Sequence, residues 1–492
     1  MKERQGRSGG SRPPSSKAAP RAPHRGKPHD RPAAERKVRE NDDPLAAGLA
    51  ARIAAAAICE SVVARGQSFD DAADASPRLA VLEPRDRAFA HLIALTVLRR
   101  LSSLDAAINR HLKSELPRDA AHARTILRVA AAQIIYLATP PHAAISLAVD
   151  QCRLDRRSSR FRGLANAVLR RIAERVEAGL EPSGPVHRDI PVWLMARWRA
   201  AYGDATAEAI AAASLVEAPL DLTVRSDPPK WAERLSGTVL DTGSVRLAEA
   251  RRVDTLDGFA EGAWWVQDAA AALPPRLLGD VKGRRVADLC AAPGGKTVLL
   301  AAAGARVTAV EASESRARLI RENLARLKLD ADVIVADVLS LEMSETFDAV
   351  LLDAPCTATG TIRRHPDILH LKRPSDIAKL AELQGRLLDK AWRLLKRGGV
   401  LVYCTCSLES EEGVQQIERL LASRAPVAIE PIAAGEAGIK APWLTPAGYL
   451  RTLPFHTPER VRSDESITLP FSGNGMDGFF AARLRRLGIP SP

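Results

Sequence analysis

The sequence predicts a multidomain protein in which an all-α bundle precedes an α/β domain built on a mostly parallel, doubly wound sheet. Three observations predict it. Apolar residues recur at helical spacing, without strand alternation, through residues 45–180. Strand and helix signals alternate through residues 281–488, the pattern of successive β-α-β units. A length of 492 residues asks for two or three domains.

Residues 1–44 are rich in Pro, Gly, Ser, Arg and Lys and nearly free of large apolar side chains, so they cannot offset the entropy of ordering and are expected to be disordered. Residues 1–40 carry 12 Lys+Arg against 4 Asp+Glu, a net of +8 that leaves +4 of the chain's +12 for everything else. A tail of this kind either solubilises the chain or raises its encounter rate with phosphate polymers. In residues 45–180 the helical spacing runs through Leu49, Ile53, Ala56 and Val63, then through 85–98, 126–136 and 161–171. Residues 185–275 predict a small α+β connecting module, with a helix over Pro191–Trp198 and an alternating strand over Leu220–Arg225.

In residues 281–488 the predicted strands are Arg285–Leu289, Arg306–Val310, Val333–Val335, Phe347–Leu352 and Val400–Cys404. The spacing predicts a long helix over Ser375–Lys396, with Ile377, Leu380, Leu383, Leu387, Leu388, Trp392 and Leu395 on one face and Gly398-Gly399 as its stop. Asp477–Leu484 reads as a last edge strand. An apolar content of 46% is ordinary for globular cores. No apolar run approaches the roughly 18 residues of a membrane span. Six cysteines without framework spacing point to a reduced, cytoplasmic protein.

The chemistry concentrates at the ends of predicted strands, where ligands bind in parallel sheets. The first strand runs into Cys290-Ala291-Ala292-Pro293-Gly294-Gly295-Lys296, small residues that let a ligand approach backbone at a helix N-terminus. Glu311 closes the next strand about 20 residues on, where a carboxylate binds ribose hydroxyls in dinucleotide folds. Asp337 follows the third strand, placed for an adenine amino group. Asp353-Ala354-Pro355-Cys356 and Thr405-Cys406-Ser407 each follow a buried strand, so two thiols and a carboxylate are expected to converge. Cys59, Cys152, Cys290 and Cys404 are expected to be small buried hydrophobes. No Cys-x-x-Cys or Cys/His ligand spacing supports a metal site.

Together, residues 288–297, 353–357 and 405–407 resemble the three signatures of the RNA cytosine-C5 methyltransferases, and Arg363–Asp367 and Asp477–Phe480 extend the likeness. The bacterial 16S ribosomal RNA subgroup of the RsmB/Sun type is the most similar, and residues 45–180 resemble the NusB-like RNA-binding fold that this subgroup carries. The resemblance implies a Rossmann-like methyltransferase domain and S-adenosyl-L-methionine bound by residues 290–296, Glu311, Asp337 and Asp353. It implies that Cys406 is the nucleophile and that Cys356 assists release of the methylated RNA. Glu311 and Thr357 stand where the subgroup often has Asp and Ser, changes that keep the carboxylate and the hydroxyl.

A thiolate adding to carbon 6 would turn carbon 5 of a cytosine into a nucleophile for a sulfonium methyl. Lys296 is a candidate cation to support ionisation of Cys406, and Asp353 a candidate partner for the ring edge. The substrate base must be flipped out or single-stranded to react. Arg363, Arg364 and His365 are candidates to hold its flanking phosphates or, equally, a solvated basic turn. A DNA cytosine methyltransferase would use the cysteine after Pro355 and would not need Cys406. A transfer RNA target and a non-catalytic RNA-binding factor remain as alternatives. The expected partner is RNA, 16S ribosomal RNA first, and the chain is expected to be a monomer with no metal and no membrane.

Overall fold

The computed structural model describes residues 44–247, 252–343, 347–423, 426–458 and 474–487. The expected disorder of the basic tail lies outside the described residues, except Pro44, which opens the first helix.

Helices α1 (Pro44–Arg65), α2 (Phe69–Asp74), α3 (Pro77–Ala80), α4 (Pro84–Arg99), α5 (Leu101–Asn109), α6 (Ala121–Ile135), α7 (Pro141–Leu154) and α8 (Arg162–Glu177) build the N-terminal bundle. Its core is unusually alanine-rich, with Ala51, Ala54, Ala55, Ala94, Ala130 and Ala131 all within 1% exposure. Small side chains let α1 lie close to α4 and α6. They also shift the buried face of α1: Ile58 and Cys59 are inside, whereas Val63 is 40% exposed. Of the apolar stripe expected through Leu49, Ile53, Ala56 and Val63, Ala56 lies in the core and the three larger residues at its margin, because alanines carry the closest contacts.

Helices α9 (Val192–Tyr202) and α10 (Asp204–Ser214) lead into β1 (Asp221–Val224), α11 (Pro228–Leu235), β2 (Gly237–Val239), β3 (Val245–Leu247) and β4 (Trp264–Val266). The four strands form an antiparallel sheet in the order β2-β3-β1-β4.

The second sheet comprises β5 (Arg285–Leu289), β6 (Arg306–Glu311), β7 (Asp332–Val335), β8 (Phe347–Asp353), β9 (Leu395–Thr405), β10 (Val427–Ile429), β11 (Leu450–Thr452) and β12 (Phe479–Arg486), in the order β10-β12-β9-β8-β5-β6-β7 with β11 also on β12. Neighbours from β9 to β7 are parallel. The chain steps outward from β5 to β6 and β7, then returns to β8 and β9 on the other side. That reversal creates a crevice at the carboxyl ends of β5 and β8. Val350 and Leu352 face one apolar layer, Ala349 and Leu351 the other. Burial on both faces explains why these strands read as continuous apolar runs. Intervening helices α12 (Leu273–Arg276), α13 (Gly295–Ala302), α14 (Glu314–Leu327), α15 (Ile368–Leu371), α16 (Pro374–Leu394) and α17 (Val414–Ala422) complete the domain.

Two expectations need correction. The strand Phe479–Arg486 is not at an edge: it lies antiparallel between β9 and β10. The long helix stops at Leu394, and Gly398-Gly399 falls inside β9. The ladder with β8 slips between Phe347 and Ala349, and Gly398, at φ +78°, serves that irregularity in place of a helix cap.

Arg363 and Arg364 do not face open solvent as phosphate-binding residues would. Arg363 is 3% exposed and lies 3.6 Å from Asp477 Oδ1. Arg364 Nη2 donates to Asp268 Oδ2 at 2.6 Å and its Nε to Asp477 Oδ2 at 3.2 Å. Nearby, Arg246 pairs with Asp221 at 2.7 and 2.8 Å within the small sheet and donates to Gly475 O at 2.9 Å, which ties that sheet to the segment leading into β12. Only His365 of the three basic residues is exposed. Removing one partner of a buried pair strands the other's charge, so Arg364→Ala is expected to lower unfolding free energy by about 3–5 kcal/mol in urea titrations. A loss below about 1 kcal/mol, the size expected of a surface pair, would show the cluster to be solvated.

The bundle is bonded to the segment that follows the Cys356 motif. Arg99 Nη2 donates to Arg363 O at 3.0 Å, the Phe69 amide to Asp367 Oδ2 at 3.0 Å, and a ring nitrogen of His370 meets Leu98 O at 2.7 Å. Among the described residues no helix is long and apolar enough to cross a membrane.

Candidate active site

Strand β5 delivers the chain to the crevice through a tight turn. Cys290 adopts φ +61° and Gly294 φ +103°. A Cβ on Gly294 would stand 3.2 Å from the Ile320 Cα of α14, so conformation and close packing both demand glycine there. Asp288 is fully buried at the end of β5 and receives the Thr297 hydroxyl at 2.6 Å. Burial raises its carboxyl to about 7.

Glu311 ends β6 and is 4% exposed. The Ala292 amide donates to its Oε2 at 3.2 Å and the Ser313 amide to its Oε1 at 3.1 Å. The Glu311 carboxylate thus braces the 290–296 turn and keeps further lone pairs. Asp337 follows β7 at the next position along the sheet edge; it is exposed, and its Oδ1 accepts from the Leu339 amide at 2.9 Å. The glycine-walled turn and two successive strand-end carboxylates with spare lone pairs fit the ribose and adenine of S-adenosyl-L-methionine. Residues 290–296, Glu311 and Asp337 are the groups that would hold it.

Lys296, on the first turn of α13, crosses to β8, where its Nζ donates to Asp353 Oδ2 at 2.6 Å. Burial opposes the ammonium, but the charge of Asp353 outweighs it and Lys296 is raised above its usual range, with Cys404 and Cys406 also in its field. The Phe479 ring lies 5.1 Å from the same nitrogen. Opposite Asp353 in the ladder stands Cys404, fully buried, whose Sγ approaches Asp353 Oδ1 at 3.5 Å. Cys404 is buried, as expected, but it is also a neighbour of the site carboxylate, which the sequence gives no reason to suspect.

The two thiols do converge. Cys356 Sγ and Cys406 Sγ lie 3.4 Å apart. The Ala354 amide donates to Cys404 O at 3.0 Å and the Gly360 amide to Cys406 O at 2.9 Å, tying the loop after β8 to the end of β9. Cys356 is raised well above the ordinary thiol range by its hydrogen bond to Cys406, then by burial and by the charges of Cys406, Glu412 and Asp353. Burial, followed by the Asp353 charge, raises Cys404 likewise and pushes Cys290 up to about 12. These three are therefore thiols at neutral pH. Cys290 is half-buried, whereas Cys59 and Cys152 lie in the bundle core.

Reasoning from sequence missed Glu412. It is completely buried behind both cysteine loops. In sequence it belongs to Glu409-Ser410-Glu411-Glu412, a run indistinguishable from a solvated acidic turn.

Residues 275–485 match the family model described as 16S rRNA methyltransferase RsmB/F, and residues 49–174 match the NusB family. Ribosomal RNA small subunit methyltransferase B of Xanthomonas campestris is 39% identical over 412 residues, which is 80% of this chain and 92% of that protein. The protein of the same name from Xylella fastidiosa is 38% identical over 453 residues, or 89% and 98% of the two chains. The crystal structure of PH0851 superposes with a TM-score of 0.66 at 22% identity, covering 89% of this chain and 99% of that one, and so shares the fold. With the catalytic and helical parts both matched and nearly the whole length of these relatives spanned, the chain belongs to the ribosomal RNA small subunit methyltransferase B family, and it is an S-adenosyl-L-methionine-dependent RNA methyltransferase.

Proposed function

We propose that the chain methylates carbon 5 of a cytosine in 16S ribosomal RNA through a covalent bond to Cys406. The observation that carries this reading is the pair of sulfurs 3.4 Å apart beside the Lys296–Asp353 ion pair. An N-methyltransferase needs no thiol at its target. A single-cysteine mechanism leaves one of these two without purpose.

Cytosine carbon 5 is a poor nucleophile, and addition of the Cys406 sulfur to carbon 6 makes it an enamine carbon. The bound cofactor supplies an electrophilic methyl on a sulfonium. Asp353, with one oxygen fixed by Lys296, presents the other to the Watson–Crick edge of the base, where proton exchange balances the charge that develops on the ring. Once carbon 5 carries the methyl, its proton passes to a base of the crevice, the bond from sulfur to carbon 6 breaks, and the departing Cys406 sulfur meets the S–H of Cys356. The relatives' shared name and the NusB match support ribosomal RNA as substrate.

Protein-free 16S RNA incubated with the chain and S-adenosyl-L-methionine is expected to yield 5-methylcytidine on nucleoside mass spectrometry. RNA whose target cytosine bears fluorine at carbon 5 is expected to stay bonded to the protein, since fluorine cannot leave as the proton does. A product methylated on nitrogen, or no bonded complex with the fluorinated RNA, would overturn the proposal.

A further inference from the structure

We propose that Glu412 is a positioning residue that holds the Cys356 and Cys406 loops in register for catalysis. This inference rests on the covalent reading above. The residues directly following the two cysteines both bond to this one carboxylate. The Thr357 amide donates to Glu412 Oε1 at 2.9 Å and the Thr357 hydroxyl donates to Oε2. From the other loop, the Ser407 hydroxyl donates to Oε2 at 2.5 Å. Gln384 Nε2, on α16, bridges Glu412 Oε1 at 3.1 Å and Pro355 O at 2.8 Å, so the residue preceding Cys356 is held as well. The backbone of Glu412 is fixed in turn: its carbonyl accepts from the Tyr403 hydroxyl at 2.8 Å and the Thr405 hydroxyl at 3.2 Å.

The four donors to the Glu412 carboxylate, one backbone amide and three side chains, are all uncharged. A buried carboxylate satisfied by neutral donors is costly to desolvate and a weak source of stability. What the arrangement provides is geometry, because one rigid group fixes two loops that must set sulfurs a few ångströms apart. The negative charge of Glu412 bears on Cys356 and helps keep it protonated, as a group that meets a departing sulfur should be.

The test uses the full chain with 16S RNA, following single-turnover adduct formation in a Cys356→Ala background and multiple turnover in the parent. Glu412→Gln replaces an acceptor by an amide that must turn N–H groups toward the Thr357 and Ser407 donors. It is expected to lower kcat by about 100-fold, with KM for S-adenosyl-L-methionine unchanged because none of its partners lies in the 290–296 turn. Glu412→Asp should recover part of the loss. Ser407→Ala removes the Cys406-side arm, together with the acceptor of the Glu409 amide, and should slow adduct formation, whereas Thr357→Val removes a hydroxyl on the Cys356 side and should slow release. These two variants keep the test decisive if Glu412→Gln does not fold. In a Cys406→Ala background, the pH midpoint for alkylation of Cys356 should move down when Glu412 becomes Gln. Parental rates of adduct formation and turnover in both Glu412→Gln and Ser407→Ala would overturn the inference. If Cys356→Ala alone forms no adduct while the parent methylates RNA, the covalent reading fails instead.

Discussion

Alanine at position 406 is expected to abolish methyl transfer, by a factor on the order of 10⁴ or more in kcat, while binding of S-adenosyl-L-methionine in calorimetry is unchanged. The size follows from the chemistry. Without a sulfur at carbon 6 the ring has no enamine form, and the remaining thiols near the crevice are poor replacements. Cys404 is fully buried and faces Asp353, Cys290 lies in the 290–296 turn, Cys356 is held protonated beside Cys406, and all three are raised above the ordinary thiol range. The cofactor turn keeps its own support from Glu311, the Asp288–Thr297 bond and the Lys296–Asp353 pair, none of which touches Cys406 Sγ. A variant that loses cofactor binding together with activity would show that Cys406 shapes the turn and would remove the basis for assigning it as nucleophile. Residual methylation within about tenfold of the parent would exclude a covalent route through this residue.

Much of this arrangement is legible in the chain because parallel strands buried on both faces write themselves as apolar runs with chemistry at their ends. Arg285–Leu289 and the end of β9 stop one residue before Cys290 and Cys406, and Phe347–Asp353 ends on Asp353 with Cys356 three residues on, so strand prediction brings these candidate residues, and Lys296 in the turn after β5, to one edge. What periodicity does not carry is which polar residues turn inward. Arg363 and Arg364 look like a basic loop, yet long-range pairing with Asp268 and Asp477 turns them inward, Arg363 buried and Arg364 half-buried; those partners lie 96 and 113 residues away from Arg364, beyond any local pattern. Glu412 is hidden for the same reason, its Thr357 partner being 55 residues upstream. The misplaced end of α16 has a different origin. A Gly-Gly pair after a helix marks a cap when the chain leaves the sheet, and a strand irregularity when the chain joins a neighbour at once, as Leu395 does on Phe347. Local sequence states the need for glycine in both cases and cannot distinguish them.

The variant Cys356→Ala is expected to do the opposite of Cys406→Ala: to accumulate protein bonded to RNA, seen as a slow band in denaturing gels, and to lower steady-state turnover by about 10²–10³-fold while the first turnover proceeds. The difference follows from the proposed route, in which the two sulfurs, 3.4 Å apart, act at different steps. Bond formation needs Cys406 alone. Release needs the Cys406 sulfur to leave, and the Cys356 thiol is the adjacent group able to stabilise it with a hydrogen bond or a proton. Its raised pKa, set first by the bond to Cys406 and then by burial, keeps that proton in place at neutral pH. The sign of the pH dependence follows. The contribution of Cys356 to release is present below the ordinary thiol range, and it is lost only as pH rises through the raised value, so the adduct should accumulate in the parent at strongly alkaline pH and at every pH in Cys356→Ala. Mass analysis of the band should place the RNA on the peptide containing Cys406. Recovery of RNA on the Cys356 peptide of a Cys406→Ala variant, with none in Cys356→Ala, would exchange the two roles and would require Cys356 to be the sulfur that reaches carbon 6.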